Sequence, residues 1–215
     1  MTEIYSISAN TDICEDNSIS FTGKKYFDDT TLLKHATYND ELRYPWTYPN
    51  GKNPEIPNEL EYLVSSKQEL DKADILSDDI LQDILSIDLV KALQQAGSLN
   101  CEIIPVRLIN ELGDEVYKDR FISLLHIEFC DCFDYENSDY RPKKKEVLER
   151  ATERKKKQVK GIRKAALIEP SNGFPSIFRL LAKPIWALLT TEAGREAILD
   201  AGIKGVEFHL RSTTN

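Results

Sequence analysis

Residues 102–127 read Glu-Ile-Ile-Pro-Val-Arg-Leu-Ile-Asn-Glu-Leu-Gly-Asp-Glu-Val-Tyr-Lys-Asp-Arg-Phe-Ile-Ser-Leu-Leu-His-Ile. Glu102 to Ile109 and Glu115 to Ile127 are rich in β-branched and aromatic residues, which fit a pleated, half-buried surface. Between them, Asn110-Glu111-Leu112-Gly113-Asp114 carries turn chemistry. The stretch predicts a β-hairpin.

Working outward, the text before the hairpin turns helical. Ser77-Asp78-Asp79 is an N-cap candidate with acids suited to the positive end of a helix. Ile80, Leu81, Ile84 and Leu85 recur at helical spacing, and a run through Leu89, Val90 and Leu93 stops at Gly97. One bent helix or two short ones fit. After the hairpin, Arg141 to Lys164 holds strong helix formers, with Pro142 near the start and Gly161 near the end, so a long basic helical insertion is expected. Its apolar stripe, Val147, Leu148, Ala151 and Val159, is thin. Ala165 to Glu169 and Ser176 to Leu181 read as strands. Thr190 or Thr191 caps a short helix that stops at Gly202, and Val206 to Leu210 returns as a strand.

Strands and helices mix without a βαβ rhythm, so the expected class is α+β: a mixed, largely antiparallel sheet, several short helices and the basic insertion. Residues 1–66 are irregular, with a strand pattern at Ile4 to Ser8 and then Asp, Asn, Gly and Pro punctuation. They form an N-terminal lobe of strands and loops, cooperative with an α+β domain over 67–215. Tyr44-Pro45-Trp46-Thr47-Tyr48-Pro49-Asn50-Gly51 reads as a loop because each proline fixes its own φ and biases the residue before it toward extended backbone. Its rings either fold over the core or form an exposed contact patch, which makes Trp46 and Tyr48 partner-binding candidates.

A net charge of -8 disfavours generic attraction to nucleic acid or an anionic membrane and favours a basic partner. The charge is uneven: residues 1–100 are dominated by Asp and Glu, whereas 141–164 is crowded with Lys and Arg. The amino-terminal text has early acids and no apolar run of signal length, and Ile177 to Thr190 is too short and too charged to span a bilayer. A cytoplasmic location without membrane contact is expected. Cys14, Cys101, Cys130 and Cys132 form neither a disulfide framework nor paired C-x-x-C motifs, which fits reduced thiols.

Chemistry is sparse. In His126-Ile127-Glu128-Phe129-Cys130-Asp131-Cys132 four potential ligands alternate, but on a continuing strand same-face neighbours sit about 6.6 Å apart and cannot all close on one ion. The His-x-Glu fragment lacks the Pro-Cys-x-x-Cys half of a zinc deaminase. His35, His126 and His209 are scattered, and no phosphate loop, dinucleotide fingerprint, nucleophile elbow or His-Glu-x-x-His is present. The reading is no enzyme, no metal and no cofactor. The basic stretch supports nucleic-acid binding by charge, but Glu146, Glu149 and Glu153 can pair with its cations along a helix, and stacking aromatics are absent. Nucleic acid is therefore the less expected partner.

The order of segments carries a resemblance. Asp74-Ile75-Leu76-Ser77, the run to Gly97, Glu102-Ile103-Ile104-Pro105-Val106 and the hairpin Gly113 to Ile127 form one block. Phe178-Arg179-Leu180, Leu188-Leu189-Thr190-Thr191 and Ala201-Gly202-Ile203-Lys204-Gly205-Val206-Glu207-Phe208 form another. From about Leu70 to Arg211 the chain resembles a bacterial polymorphic-toxin immunity family, the immunity-protein-eleven group, earlier classed as a domain of unknown function. The basic insertion departs from that family's pattern. The resemblance implies a cytoplasmic antidote that binds a cognate toxin encoded nearby, often a nuclease, by stoichiometric occlusion. An acidic inhibitor would share the electrostatic preference of nuclease substrates. The interface candidates are Asp78, Asp79 and Asp83 with Trp46 and Tyr48. The alternatives are an enzyme of unknown class, working through His126 to Cys132, and a nucleic-acid-binding adaptor using helix 141–164.

Overall fold

The hairpin is the seam of a closed barrel. The computed structural model describes residues 2–12, 18–21, 58–65, 70–78, 83–125, 127–145, 149, 151, 153–183 and 187–213. Strand β1 is Glu3–Ala9, β2 Ser18–Phe21, β3 Leu60–Leu63, β4 Ile75–Asp78, β5 Asp83–Ser86, β6 Glu102–Ile109 and β7 Glu115–Leu125. Helix α1, Ile87–Ala96, separates β5 from β6. Strands β8 Phe129–Cys130, β9 Asp139–Arg141, β10 Gly161–Lys164, β11 Ile177–Leu180, β12 Leu188–Thr191 and β13 Val206–Thr213 follow, with helices α2 Glu153–Lys156 and α3 Glu192–Asp200.

The barrel closes in the order β2-β3-β6-β7-β5-β4. Its β3–β6 and β2–β4 pairings are parallel and the others antiparallel. Alternation fills it: Ile84, Ile104, Val106, Leu108 and Phe121 pack inside with Leu60, Tyr62 and Leu76. The opposite face of β5 and β7, Leu85, Ile122 and Leu124, packs with Leu89 and Leu93 of α1 and Ile198 of α3. The same cluster takes in Ile7, Ile177 and Leu188 from a second, five-stranded sheet ordered β13-β1-β12-β11-β8. That sheet's other face, through Ile4, Phe178, Leu180 and Leu189, meets Phe133, Val159, Ala165 and Leu167. The layers therefore run barrel, helix pair, sheet, and an outer excursion carrying the β9–β10 ribbon. The class is α+β with antiparallel pairing dominant, and β6–β7 pair as the sequence predicts.

Two expected helices change. Ser77 does not cap a helix over Ile80 to Leu85: Asp78 ends β4, Asp83 opens β5, and Ser86 is the cap, its hydroxyl accepting from Leu89 N at 3.2 Å. Ile84 and Leu85 face opposite sides of a strand whose two faces are both covered, so adjacent apolar residues imitated a helical stripe. Residues 79–82 lie outside the described residues. Arg141 to Lys164 is likewise not one helix, since its ends are β9 and β10, paired antiparallel, and the helical run named within it is α2. Val159, 3% exposed, and Ile162 with Tyr140 pack toward the sheet, which a continuous solvated helix could not arrange. The strand expected to Ile127 stops at Leu125, and Ala165 to Glu169 contributes a single bridge, Leu167 to Phe133. The capped helix at Thr191 is as expected, with its hydroxyl accepting from Gly194 N at 3.2 Å, and Gly202 ends it at φ 71°. Strand β1 forms as expected and lies between β13 and β12.

One junction ties the layers. The Asp74 carboxylate accepts from the Ser86 hydroxyl at 2.7 Å and from Gly205 N at 3.1 Å, while Ser86 N donates to Asp74 O at 2.8 Å. At Gly205 a Cβ would stand 2.6 Å from Asp74 Oδ2, 2.7 Å from Asp74 N and 2.9 Å from Lys72 O, two of these being backbone atoms that cannot swing away. We expect Gly205→Ala to destabilise the fold by roughly 1–3 kcal/mol through overpacking. Ser86→Ala should cost about 1 kcal/mol from the lost cap alone. Urea unfolding followed by circular dichroism checks both, and a Gly205→Ala midpoint equal to the parent's contradicts the junction's tightness.

Candidate functional site

The end of the barrel where β5 starts gathers the acidic positions. Asp83 on β5 and Ile103 on β6 both stand opposite Leu124 on β7, and Glu102 stands opposite Leu125. Asp78, which closes β4, is in register with Ile19 of β2. Glu102 is exposed. Ile103 is 43% exposed, whereas its row-mate Leu124 is buried. Pro105, two residues along the same face of β6, is exposed too. Arg107 follows on that face, its Nη1 3.1 Å from Glu61 Oε2 and its Nε 3.5 Å from Glu115 Oε2. The result is an exposed apolar residue on a strand at a barrel end where the sequence also places Asp78, Asp83 and Glu102.

Of the sequence candidates, Asp78 and Asp83 come to this end as strand residues. Asp79, Trp46 and Tyr48 lie outside the described residues. Sequence reasoning missed Ile103. Its signal was the doublet Ile103-Ile104, because neighbours on a strand point to opposite faces and one of the two must leave the barrel interior.

Near this end, Glu128 N donates to Asn100 O at 3.1 Å, and Asn100 Nδ2 donates to the Glu128 carboxylate. That contact turns the chain out of β7 and into β8. The expected ligand row is thereby broken, since Cys130 ends β8 while Cys132 lies beyond it. Both thiols are buried. A hydrogen bond from Cys132 holds the Cys130 thiol below its ordinary range against the opposing effect of burial. The same hydrogen bond, then burial, pushes the Cys132 thiol far above its range. Cys132 is thus a neutral donor, and Cys130, Cys132 and Cys101 are free thiols. Among the described residues no group of three or more His, Cys, Asp and Glu side chains could hold a metal ion. His126 and His35 lie outside those residues, and His209 Nε2 is 3.6 Å from Glu207 Oε2 on the exposed face of β13.

A groove of about 590 Å³ lies along the junction, lined among others by Asp71, Lys72, Asp74, Asp88, Lys91 and Lys204. Its signs alternate and Lys91 already pairs with Asp88 at 3.5 Å, so it offers no focused field for a charged ligand. Two β7 residues with left-handed φ, Tyr117 at 50° and Asp119 at 53°, reshape the strand beside it. Tyr117 there accepts from Leu70 N at 3.0 Å, and Arg120 Nη2 donates to Asp71 O at 2.6 Å and Ala73 O at 3.0 Å. These bonds hold the 3-10 turn Leu70–Lys72 in place, which is a structural use. No described helix is long and apolar enough to cross a membrane.

Comparison with protein-family models gives no match, and no curated protein matches the chain in sequence.

The thiol geometry has a direct readout. Cys130 and Cys132 should resist alkylation in the folded protein at neutral pH and react on unfolding, as mass spectrometry of iodoacetamide-treated samples would record. Rapid labelling of either without denaturant contradicts their burial and the neutral state of Cys132.

Proposed function

We propose that the protein is a cytoplasmic immunity protein that binds one cognate toxin, stoichiometrically and without turnover, and occludes its active site or substrate path. The observation that carries this reading is the barrel end where exposed Ile103 sits beside Glu102 and in the same cross-strand row as Asp83. Protein interfaces draw their energy from a few apolar anchors inside a polar rim, and charge complementarity speeds encounter and selects the partner. An acidic barrel end suits a toxin that carries a basic surface, as a nuclease must to hold phosphates. The net charge of -8 and the segment order that resembles the immunity family point the same way. Trp46, Tyr48 and Asp79 belong to the proposed interface by sequence.

The test is co-purification with the product of the adjacent gene, together with rescue of cells that express it. One binder per toxin should give full protection. Ile103→Asp should leave the melting temperature within a few degrees of the parent, because its side chain is half-exposed. It should weaken the complex at least about tenfold, the scale of a lost anchor. Charge reversal at Glu102 and Asp83 should chiefly slow association, with the largest effect at low salt. Absence of both complex and rescue rejects the proposal. Protection at ratios far below one, abolished by His126→Ala, favours an enzyme instead.

A further inference from the structure

On one continuous helix over 141–164, Glu146, Glu149 and Glu153 would each lie one turn from a cation. The ends of the stretch fold instead as the β9–β10 ribbon, which takes Arg141 and Lys164 out of helical spacing, while Glu153 and Lys156 keep it. Four cations of the excursion do have partners: Lys143 Nζ donates to Gln158 Oε1 at 2.9 Å, Lys156 meets Glu153 at 2.6 Å, Lys157 meets Asp131, and Arg163 is 3.7 Å from Asp139. Among the described residues Arg141, Lys144, Lys145, Lys160 and Lys164 are exposed and none forms an ion pair with a described acid, although Lys164 stands opposite Asp139 in the ribbon. Gly161 stands directly opposite Arg141 in the ribbon.

That glycine has no structural reason to be one. Its backbone is not left-handed, and a Cβ there would meet nothing within 4 Å. A strand glycine that neither conformation nor packing demands leaves a bare place where another molecule can approach closely. The ribbon around it is held rigid from beneath. Tyr140 lies edge-on to Phe133 at 5.7 Å and to Tyr135 at 5.7 Å, and Lys160 N donates to Arg141 O at 2.8 Å. Lys183 Nζ donates to Lys160 O at 3.1 Å. The cations are therefore displayed on a fixed frame, and binding there need not order the backbone.

We propose that the β9–β10 ribbon and its flanks, Arg141, Lys144, Lys145, Lys160 and Lys164 around Gly161, form a sequence-independent phosphate-binding surface for nucleic acid. Its apolar side chains, Tyr140 and Ile162, pack inward, so the outer face offers charge without the apolar anchors that a protein partner or a bilayer would use. Phosphate contacts require only such charge.

The experiment is fluorescence anisotropy of the full chain with a short labelled DNA duplex and the matching single strand, between about 50 mM and 200 mM salt. Saturable binding at low salt is expected, weakening steeply as salt rises. The triple variant Arg141→Glu, Lys160→Glu, Lys164→Glu should abolish it. Gly161→Leu should weaken it at least about tenfold while keeping the parent's circular dichroism, since its side chain enters open space. Lys91→Glu with Lys204→Glu, in the groove along the Asp74 junction, should bind as the parent does. No binding at about 50 mM salt overturns the proposal, as do folded ribbon variants that bind unchanged. Stronger retention by phosphatidylserine vesicles or polyglutamate than by DNA also overturns it, by naming a different occupant.

Discussion

The arrangement of layers depends on where the Asp74 carboxylate spends its two oxygens. One takes the hydroxyl of Ser86, the residue that ends β5 and caps α1, and the other takes the N–H of Gly205, which leads into β13. A single side chain thus fixes the barrel's last turn, the start of the central helix and the entry to the sheet's edge strand. Two donors, one to each oxygen, satisfy this part-buried carboxylate. Because Gly205 approaches to backbone contact, the junction holds position as well as energy. The shared apolar cluster of Leu85, Leu89, Leu93, Ile198 and Ile7 can then pack in one register.

Much of this fold was legible where one face of an element is apolar. The β6–β7 hairpin, the cap at Thr191 and the return of β13 follow from turn residues and alternation that no distant contact has to supply. The errors share a cause. Ile84 and Leu85 serve two different cores from one strand, so their spacing carries no strand signature, and the basic stretch was weighed by helix propensity although Val159, Ile162 and Tyr140 had a sheet to pack on. Propensity yields when tertiary burial is available. Barrel closure, which rests on parallel pairing of β2 with β4 across a long separation, has no local trace at all.

The candidate sites were legible in part. Acidic positions Asp78 and Asp83 were singled out for the wrong local structure, yet strand geometry still brings them to one end of the barrel. Ile103 escaped notice because exposure of an isoleucine is a property of the closed barrel and not of its neighbours in sequence. The ribbon's significance was hidden similarly: Glu153 and Lys156 pair one turn apart as a helix would have them, but Arg141 and Lys164 lie on strands where that spacing does not apply. Charge composition located both surfaces, and the fold assigned one to the barrel end and the other to the β9–β10 ribbon.

The position of β1 bears on how the chain acquires its shape. Its two hydrogen-bonding neighbours are β12 and β13, drawn from the far end of the chain, whereas every described strand of the barrel has been translated by Leu125. On the ribosome the barrel can mature while β1 waits with both edges unpaired, and the sheet closes only after Val206–Thr213 has emerged. The serines of β1, Ser6 and Ser8, alternate with its apolar residues and lower the tendency of that waiting strand to recruit a stranger.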